Sequence, residues 1–352
     1  MTEKTDTQKL RKQRRGAQGP TVADVARTAG VSPMTVSRVV NNDSKVLDST
    51  KEKVEAAIKL LGYVPNLAAR SLAGGRQCRI ALLHSNPSAA YLSEFLVGSL
   101  AEATIESAQI VVEHCAHGES PQDLVARITS HRVDAVLLPP PLSDDSALLD
   151  ALHKAGLPLA QVATGKPADF ANAVIINDEE AAYVLTTRLA GLGHERIGFI
   201  GGNPNQTASL LRHQGYRRAL KDAGLSTNTN WEVDGDFTFL SGLAGAEILL
   251  KHENRPTAIF ACNDDMAVAT IATAHRMGLE VPRDLAVCGF DDTASATMVW
   301  PELTTVRQPV ADMARLAVRL LVNAVTSENA ELVKPRHEQL NFTLVIRDSD
   351  SL

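Results

Sequence analysis

Eight short, nearly unbroken apolar runs recur between residues 79 and 292: RIALLHS, QIVVEHCA, VDAVLLP, LPLAQVA, NAVIIN, RIGFIGG, TAIFACN and LAVCGFDD. Helical stretches separate them. Strands that are apolar on both faces must be covered on both faces, so they belong in parallel sheets layered with helices. About 275 residues carrying two such series predict two similar α/β lobes rather than one, divided near Asn177. Ligands of open α/β sheets sit at the carboxyl ends of the strands, which in a two-lobed body face the cleft.

Upstream, the pattern changes from strands to short helices. Thr21 followed by Asp24 is a capping box, and Val22, Val25, Ala26 and Ala29 share one helical face. Gly30 stops that helix. Ser32 caps a second, with Pro33 at its first position, where a missing N–H costs nothing. Ser49 and Glu52 predict the start of a third helix with Val54, Ala57, Ile58 and Leu61 inward, ended by Gly62. Two helices joined by a glycine-containing turn form a helix-turn-helix, whose second helix enters the DNA major groove by its N-terminal residues. Those residues are Pro33, Met34, Thr35, Ser37 and Arg38, while Val36, Val39 and Val40 face the small core.

Charge divides along the same line. Residues 1–76 hold 14 Lys and Arg against 7 Asp and Glu, a net of +7, so the overall −6 leaves −13 on the remainder. A basic head on an acidic body fits phosphate binding at one end. The run KLRKQRR places five basic residues among seven within residues 1–20, which read as a disordered basic extension. Pro65 breaks the chain, and Asn66 can cap a brief helix, LAARSLA, ended by Gly74 and Gly75. Seven or eight residues make a marginal helix alone, expected to fold only when supported.

The segments TVADVARTAGVSPMTVSRVVNN, EKVEAAIKLLGYVPNLAARSLAGG, ACNDDMAVATIA and CGFDDT resemble the lac repressor family (LacI/GalR) of bacterial transcription regulators, from about Thr21 to Ile346. The resemblance implies a helix-turn-helix domain over 21–63 and a hinge helix and linker over 64–76. It also implies a periplasmic-binding-protein-like effector and dimerisation domain over 77–346, with a tail at 347–352. The chain would return to the first lobe near Thr305–Pro309. The hinge helix would enter the minor groove and insert Leu72 between base pairs, an apolar wedge that kinks the duplex. The DNA-binding set then includes Thr21, Asn41, Lys45, Tyr63, Asn66, Ala69 and Leu72 beside the recognition helix.

Carried over position by position, the effector-binding Arg, Asn and Asp of the family match Arg212, Asn263 and Asp291. Phe237 matches a stacking aromatic, Tyr91 and Leu92 match pocket-wall positions, and Gln308 matches a weaker polar contact. A carboxylate that accepts adjacent hydroxyls, a guanidinium fork and an aromatic face suit a polyhydroxylated ligand. Ala163, in VATG, stands where some sugar-responsive members carry a carboxylate. Truncating Arg212 or Asp291 is expected to leave an intact DNA binder deaf to its ligand.

Other chemistries lack their motifs. There is no G-x-G-x-x-G, P-loop, G-x-S-x-G or H-E-x-x-H, so neither an enzyme, a cofactor nor a metal is expected. Asp264–Asp265 and Asp291–Asp292 read as caps and ligand hydrogen-bonders rather than metal ligands. Cys78, Cys115, Cys262 and Cys288 lack close spacing and read as buried thiols. With no export signal or membrane span in the sequence, the expected compartment is the cytoplasm, at the nucleoid when DNA-bound. The expectation is a homodimeric repressor of carbohydrate-utilisation genes, bound to double-stranded operator DNA and controlled by a small-molecule effector, a carbohydrate. The helix YLSEFLVGSLAEATIESA offers the dimer face, and LVIRDSDSL lacks the leucine heptads of a tetramer. A transport-type solute-binding protein or a sugar or nucleoside enzyme on the same two lobes is the alternative. The headpiece argues against the former and the want of a cleft nucleophile against the latter.

Overall fold

The computed structural model describes residues 20–40, 46–63, 77–85, 87–116, 118–327 and 334–351. The chain divides into two compact units, Met1–Gln77 and Cys78–Leu352. In the first, α1 (Val22–Ala29), α2 (Pro33–Val40) and α3 (Asp48–Leu61) close on Val25, Val36, Val39, Val54 and Ala57. The Thr21 hydroxyl accepts from the Asp24 amide, and the Asp24 carboxylate accepts from the Thr21 amide at 2.9 Å, a reciprocal cap on α1. Ser32 Oγ accepts from the Thr35 amide at 3.1 Å and caps α2. The third helix departs from expectation. It begins at Asp48 with Leu47 at the cap position and no side-chain cap, so Ser49 lies inside the first turn and forms no box with Glu52. Asp48 instead sets a negative charge against the positive helix end.

The second unit holds two six-stranded sheets. The first lobe runs β2 (Gln109–His114), β1 (Arg79–His84), β3 (Ala135–Leu138), β4 (Leu159–Val162), β5 (Asn172–Ile175) and β11 (His337–Gln339), all paired in parallel. The second runs β7 (Glu232–Val233), β6 (Ile197–Ile200), β8 (Ala258–Ala261), β9 (Ala286–Asp291), β10 (Thr304–Arg307) and β12 (Thr343–Val345), with only β12 antiparallel. Strands β3, β4 and β8 are buried at every position, the physical meaning of their unbroken apolar runs.

Helices α4 (Ala89–Ile105), α5 (Pro121–Ser130) and α6 (Ser146–Lys154) belong to the first lobe. Helices α7 (Asp178–Gly191), α8 (Thr207–Asp222), α9 (Phe239–Lys251), α10 (Asp264–Arg276) and the short α11 (Ser295–Met298) belong to the second. The last, α12 (Val310–Thr326), packs on α4 and on β3, β4 and β5, back in the first lobe. Thr304–Arg307 is thus still a strand of the second sheet, and the chain leaves it at Gln308 and Pro309. A further crossing, over residues 340–342 between β11 and β12, was not expected from the sequence.

The segment expected as a tail is also packed. Ser349 Oγ donates to the Val287 carbonyl at 2.6 Å and accepts from the Thr304 amide at 2.8 Å. Asp350, fully buried at its side chain, pairs with Arg188 at 2.5 Å. These bonds satisfy backbone groups of the second sheet that a tail would leave to water. The four cysteines are free and buried. No helix among the described residues is long and apolar enough to cross a membrane.

Candidate functional site

A small cavity, partly open to solvent, lies between the two lobes where strands of both end. Pro87 and Tyr91 reach it from the segment after β1, Pro140 from the end of β3 and Ala163 from the end of β4. From the second lobe come Gln206, Ala208 and Arg212 around α8, Phe237 after β7, Asn263 after β8 and Asp291 closing β9, while Gln308 follows β10. Of the residues carried over from the sequence, Tyr91, Arg212, Phe237, Asn263, Asp291 and Gln308 thus share one space. Leu92 does not. One helical step of about 100° turns it away from Tyr91, into a separate first-lobe groove with His84, His114 and Leu148.

Arg212 is 3% exposed and is a hub rather than a free ligand-binding fork. Its Nε donates to Asp178 at 2.8 Å and its Nη1 to the Cys262 carbonyl at 2.6 Å. The guanidinium lies 3.6 Å from the Phe290 ring centre and 3.8 Å from Asp291. Asp178 was missed at the sequence level, because an acid in the first turn of a helix reads as a dipole partner. Asn263 is similarly engaged: its Oδ1 caps α10 by accepting from the Met266 amide, and its Nδ2 donates to the Phe237 carbonyl, each at 3.0 Å.

Three polar groups on residues that line the cavity have unfilled capacity among the described residues. Asp291 receives one bond, from Gln308 Nε2 at 2.5 Å. The buried Gln308 Oε1 and Tyr91 hydroxyl have no partner among the described residues. Buried polar atoms in a folded protein are nearly always satisfied, so these call for a partner beyond the described protein groups. Burial pushes the Asp291 carboxyl up to about 7, against the pull of the Arg212 charge and the Gln308 donor. Burial likewise raises the Tyr91 phenol and keeps it a neutral donor.

The backbone is strained here. Ala163, Phe237 and Asp291 have φ values of 55°, 69° and 111°, in a region that favours glycine. Such conformations persist only where the surroundings impose them. Gly202 explains the position of Phe237: a Cβ there would stand 2.0 Å from the ring. The aromatic floor therefore depends on a missing side chain. No group of three or more His, Cys, Asp or Glu suited to a metal occurs among the described residues.

The headpiece presents the other surface. Pro33, Met34 and Arg38 are exposed on α2, with Met34 at 67%, while Thr35 and Ser37 are half-buried. Thr35 Oγ1 is hydrogen-bonded to Ser32 at 2.8 Å. Thr21 is exposed, but its hydroxyl donates to Asp24 at 2.7 Å. Tyr63, expected against DNA, is 8% exposed and belongs to the apolar cluster of the headpiece core. Asn41, Lys45, Asn66, Ala69 and Leu72, with the hinge helix and the basic extension, lie outside the described residues.

Comparison with known proteins joins the two surfaces. A model of bacterial regulatory proteins of the lacI family matches residues 21–66, and a periplasmic binding protein-like domain matches 186–349. The HTH-type transcriptional repressor PurR of Photobacterium profundum is 34% identical over 94% of this chain and 98% of its own. The chain belongs to the lacI family. The transcriptional regulator CelR in complex with cellobiose superposes with a TM-score of 0.72 at 33% identity, covering 94% of this chain and 99% of that one. The lac repressor dimer bound to operator and the anti-inducer ONPF gives 0.74 at 28% identity, over 95% and 100%. This lacI-family protein is accordingly a DNA-binding transcription regulator with an effector domain, and not an enzyme.

Proposed function

We propose that this regulator is a homodimeric repressor of carbohydrate-utilisation genes whose operator affinity is set by an uncharged sugar held between the lobes. The observation that carries the reading is the set of unfilled groups on residues that line the cavity: Asp291, Gln308 Oε1 and the Tyr91 hydroxyl, beside the Phe237 ring. Two acceptors and one donor–acceptor suit vicinal hydroxyls, and an aromatic face covers the C–H side of a pyranose. Arg212, the one lining cation among the described residues, is already neutralised by Asp178, so it offers an anionic ligand no free counter-charge. The cellobiose complex of CelR supports the same ligand class.

A thermal-shift screen of mono- and disaccharides, cellobiose included, and of nucleobases tests this. A sugar at a hundred times its Kd should stabilise the protein by about 2.7 kcal/mol. Stabilisation by a nucleobase and by no sugar would overturn it.

Met34 and Arg38 would read the operator from α2. Arg38→Ala should weaken specific binding by about 1–3 kcal/mol if it contacts guanine. Unchanged affinity in a gel-shift titration on the upstream DNA of its own gene would place the base contacts elsewhere. Dimerisation would use α4, on which Val97 and Leu100 are 59% and 51% exposed three residues apart. Two headpieces then meet the two halves of an operator in the cytoplasm, at the nucleoid. Sedimentation should give a dimer for the parent and a monomer for Leu100→Glu. A monomeric parent would refute the assembly.

A further inference from the structure

Helix α8, which carries Arg212, begins without a cap of its own: Gln206 at the cap position makes no side-chain bond to it. The cap comes from the other lobe. Asp144, in the turn after β3, accepts from the Thr207 amide at 2.8 Å and from the Thr207 hydroxyl at 2.9 Å. That hydroxyl accepts in turn from the Gly165 amide of the first lobe at 2.6 Å. Thr164 Oγ1 donates to Asp144 at 2.6 Å and orients it. Each hydroxyl proton in this set thus has an acceptor. The neighbouring Asp145 does the ordinary thing and caps its own α6 through the Leu148 amide at 3.0 Å.

A second observation shows that the fit is close. A Cβ on Gly165 would lie 2.4 Å from Leu211 and 3.1 Å from Thr207, both on α8. The first-lobe loop therefore rests directly on the helix and not merely near it.

We infer that Asp144 and Thr207 form an inter-lobe latch that sets how readily the cleft opens and holds the Arg212 helix in its binding position. A carboxylate on a helix N-terminus gains from the unpaired amides and from the helix dipole together. Opening the lobes breaks both and leaves the first turn of α8 uncapped. The latch is built from protein groups alone, so it biases closure whatever occupies the cavity. Asp144 is a positioning residue: it acts on the ligand site through α8. Its role in effector response rests on the sugar-binding reading above, but the latch itself is tested without any effector.

The experiment is hydrogen exchange of the full-length protein, followed in a peptide spanning residues 204–211, with small-angle scattering on the same samples. Asp144→Ala should speed exchange in that peptide roughly three- to thirtyfold, the range set by loss of one helix cap. It should also enlarge the radius of gyration. Thr207→Val, which keeps the backbone bond, should give a smaller effect in the same direction. Asp145→Ala should change exchange at α6 and leave 204–211 as in the parent. Parental exchange at 204–211 in folded Asp144→Ala would overturn the latch. So would equal effects of Asp144→Ala and Asp145→Ala there, which would mean general loosening. Should Asp144→Ala fail to fold, the Thr207→Val result alone decides, and parental exchange in it overturns the proposal.

Discussion

Replacing Asp291 by alanine should abolish the response to effector while operator binding without effector stays as in the parent. The carboxylate is the acidic group lining the cavity, and among the described residues Gln308 alone binds it at hydrogen-bond distance. Its loss should cost effector binding about 2–5 kcal/mol, the usual penalty for removing one partner of a buried charged contact. The headpiece has its own core, so the change should not reach it. Effector titration against a fixed operator concentration measures both quantities. A variant that responds like its parent would mean that the ligand sits elsewhere.

The same residue gives a pH signature. Its carboxyl is pushed up to about 7 from an ordinary 3.8, by burial first. Ligand hydroxyls need the charged form as acceptor, so parental effector affinity should fall as pH drops through 7, by at most about tenfold per unit. The alanine variant should lack that slope. The stability effect has the opposite sense. Because the folded state holds the proton more tightly, this group destabilises the fold increasingly as pH rises from about 4 through 7.

Arg212→Met should behave differently from Asp291→Ala, although the two residues face one cavity. Arg212 compensates Asp178, whose carboxylate is 2% exposed and is itself raised by burial. Removing the guanidinium strands that charge and leaves the Cys262 carbonyl without this donor. Breaking a buried pair this way costs about 3–5 kcal/mol. For a body of this size that corresponds to a fall in Tm of roughly 6–20 °C by calorimetry. Asp178→Asn added to Arg212→Met should recover part of the stability and none of the effector binding. An unchanged Tm in Arg212→Met would show that Asp178 already carries a proton.

The expectation that either truncation yields a sound but deaf regulator therefore separates into two phenotypes. The sequence could suggest that Arg212 and Asp291 share a site, since both follow strands that end at a cleft. It could not show that Asp178, 34 residues upstream of Arg212, takes the first claim on the guanidinium. Pairings of that range have no periodic signature. Strand runs, caps at Thr21 and Ser32, and the apolar face of α2 were legible because each is a local preference expressed within four residues. Leu92 lies apart from the cavity and Tyr63 in the headpiece core for a related reason. Which side of a helix or turn looks inward depends on packing partners that lie elsewhere in the chain.

The connections between the lobes bear on how such regulators can be recombined. Each sheet of this body is assembled from separated stretches of chain: the first from residues up to 175 and again from 337 to 339, the second from 197 to 307 and again from 343 to 345. A hybrid that exchanged one lobe for a relative's by a single splice would mix strands of two parents within a sheet. The last of these strands is followed by Ser349 and Asp350, which pin the chain end to residues more than 40 positions earlier. New specificities are therefore better built by grafting all of a lobe's stretches together, with splices at each crossing, than by joining a front half to a back half.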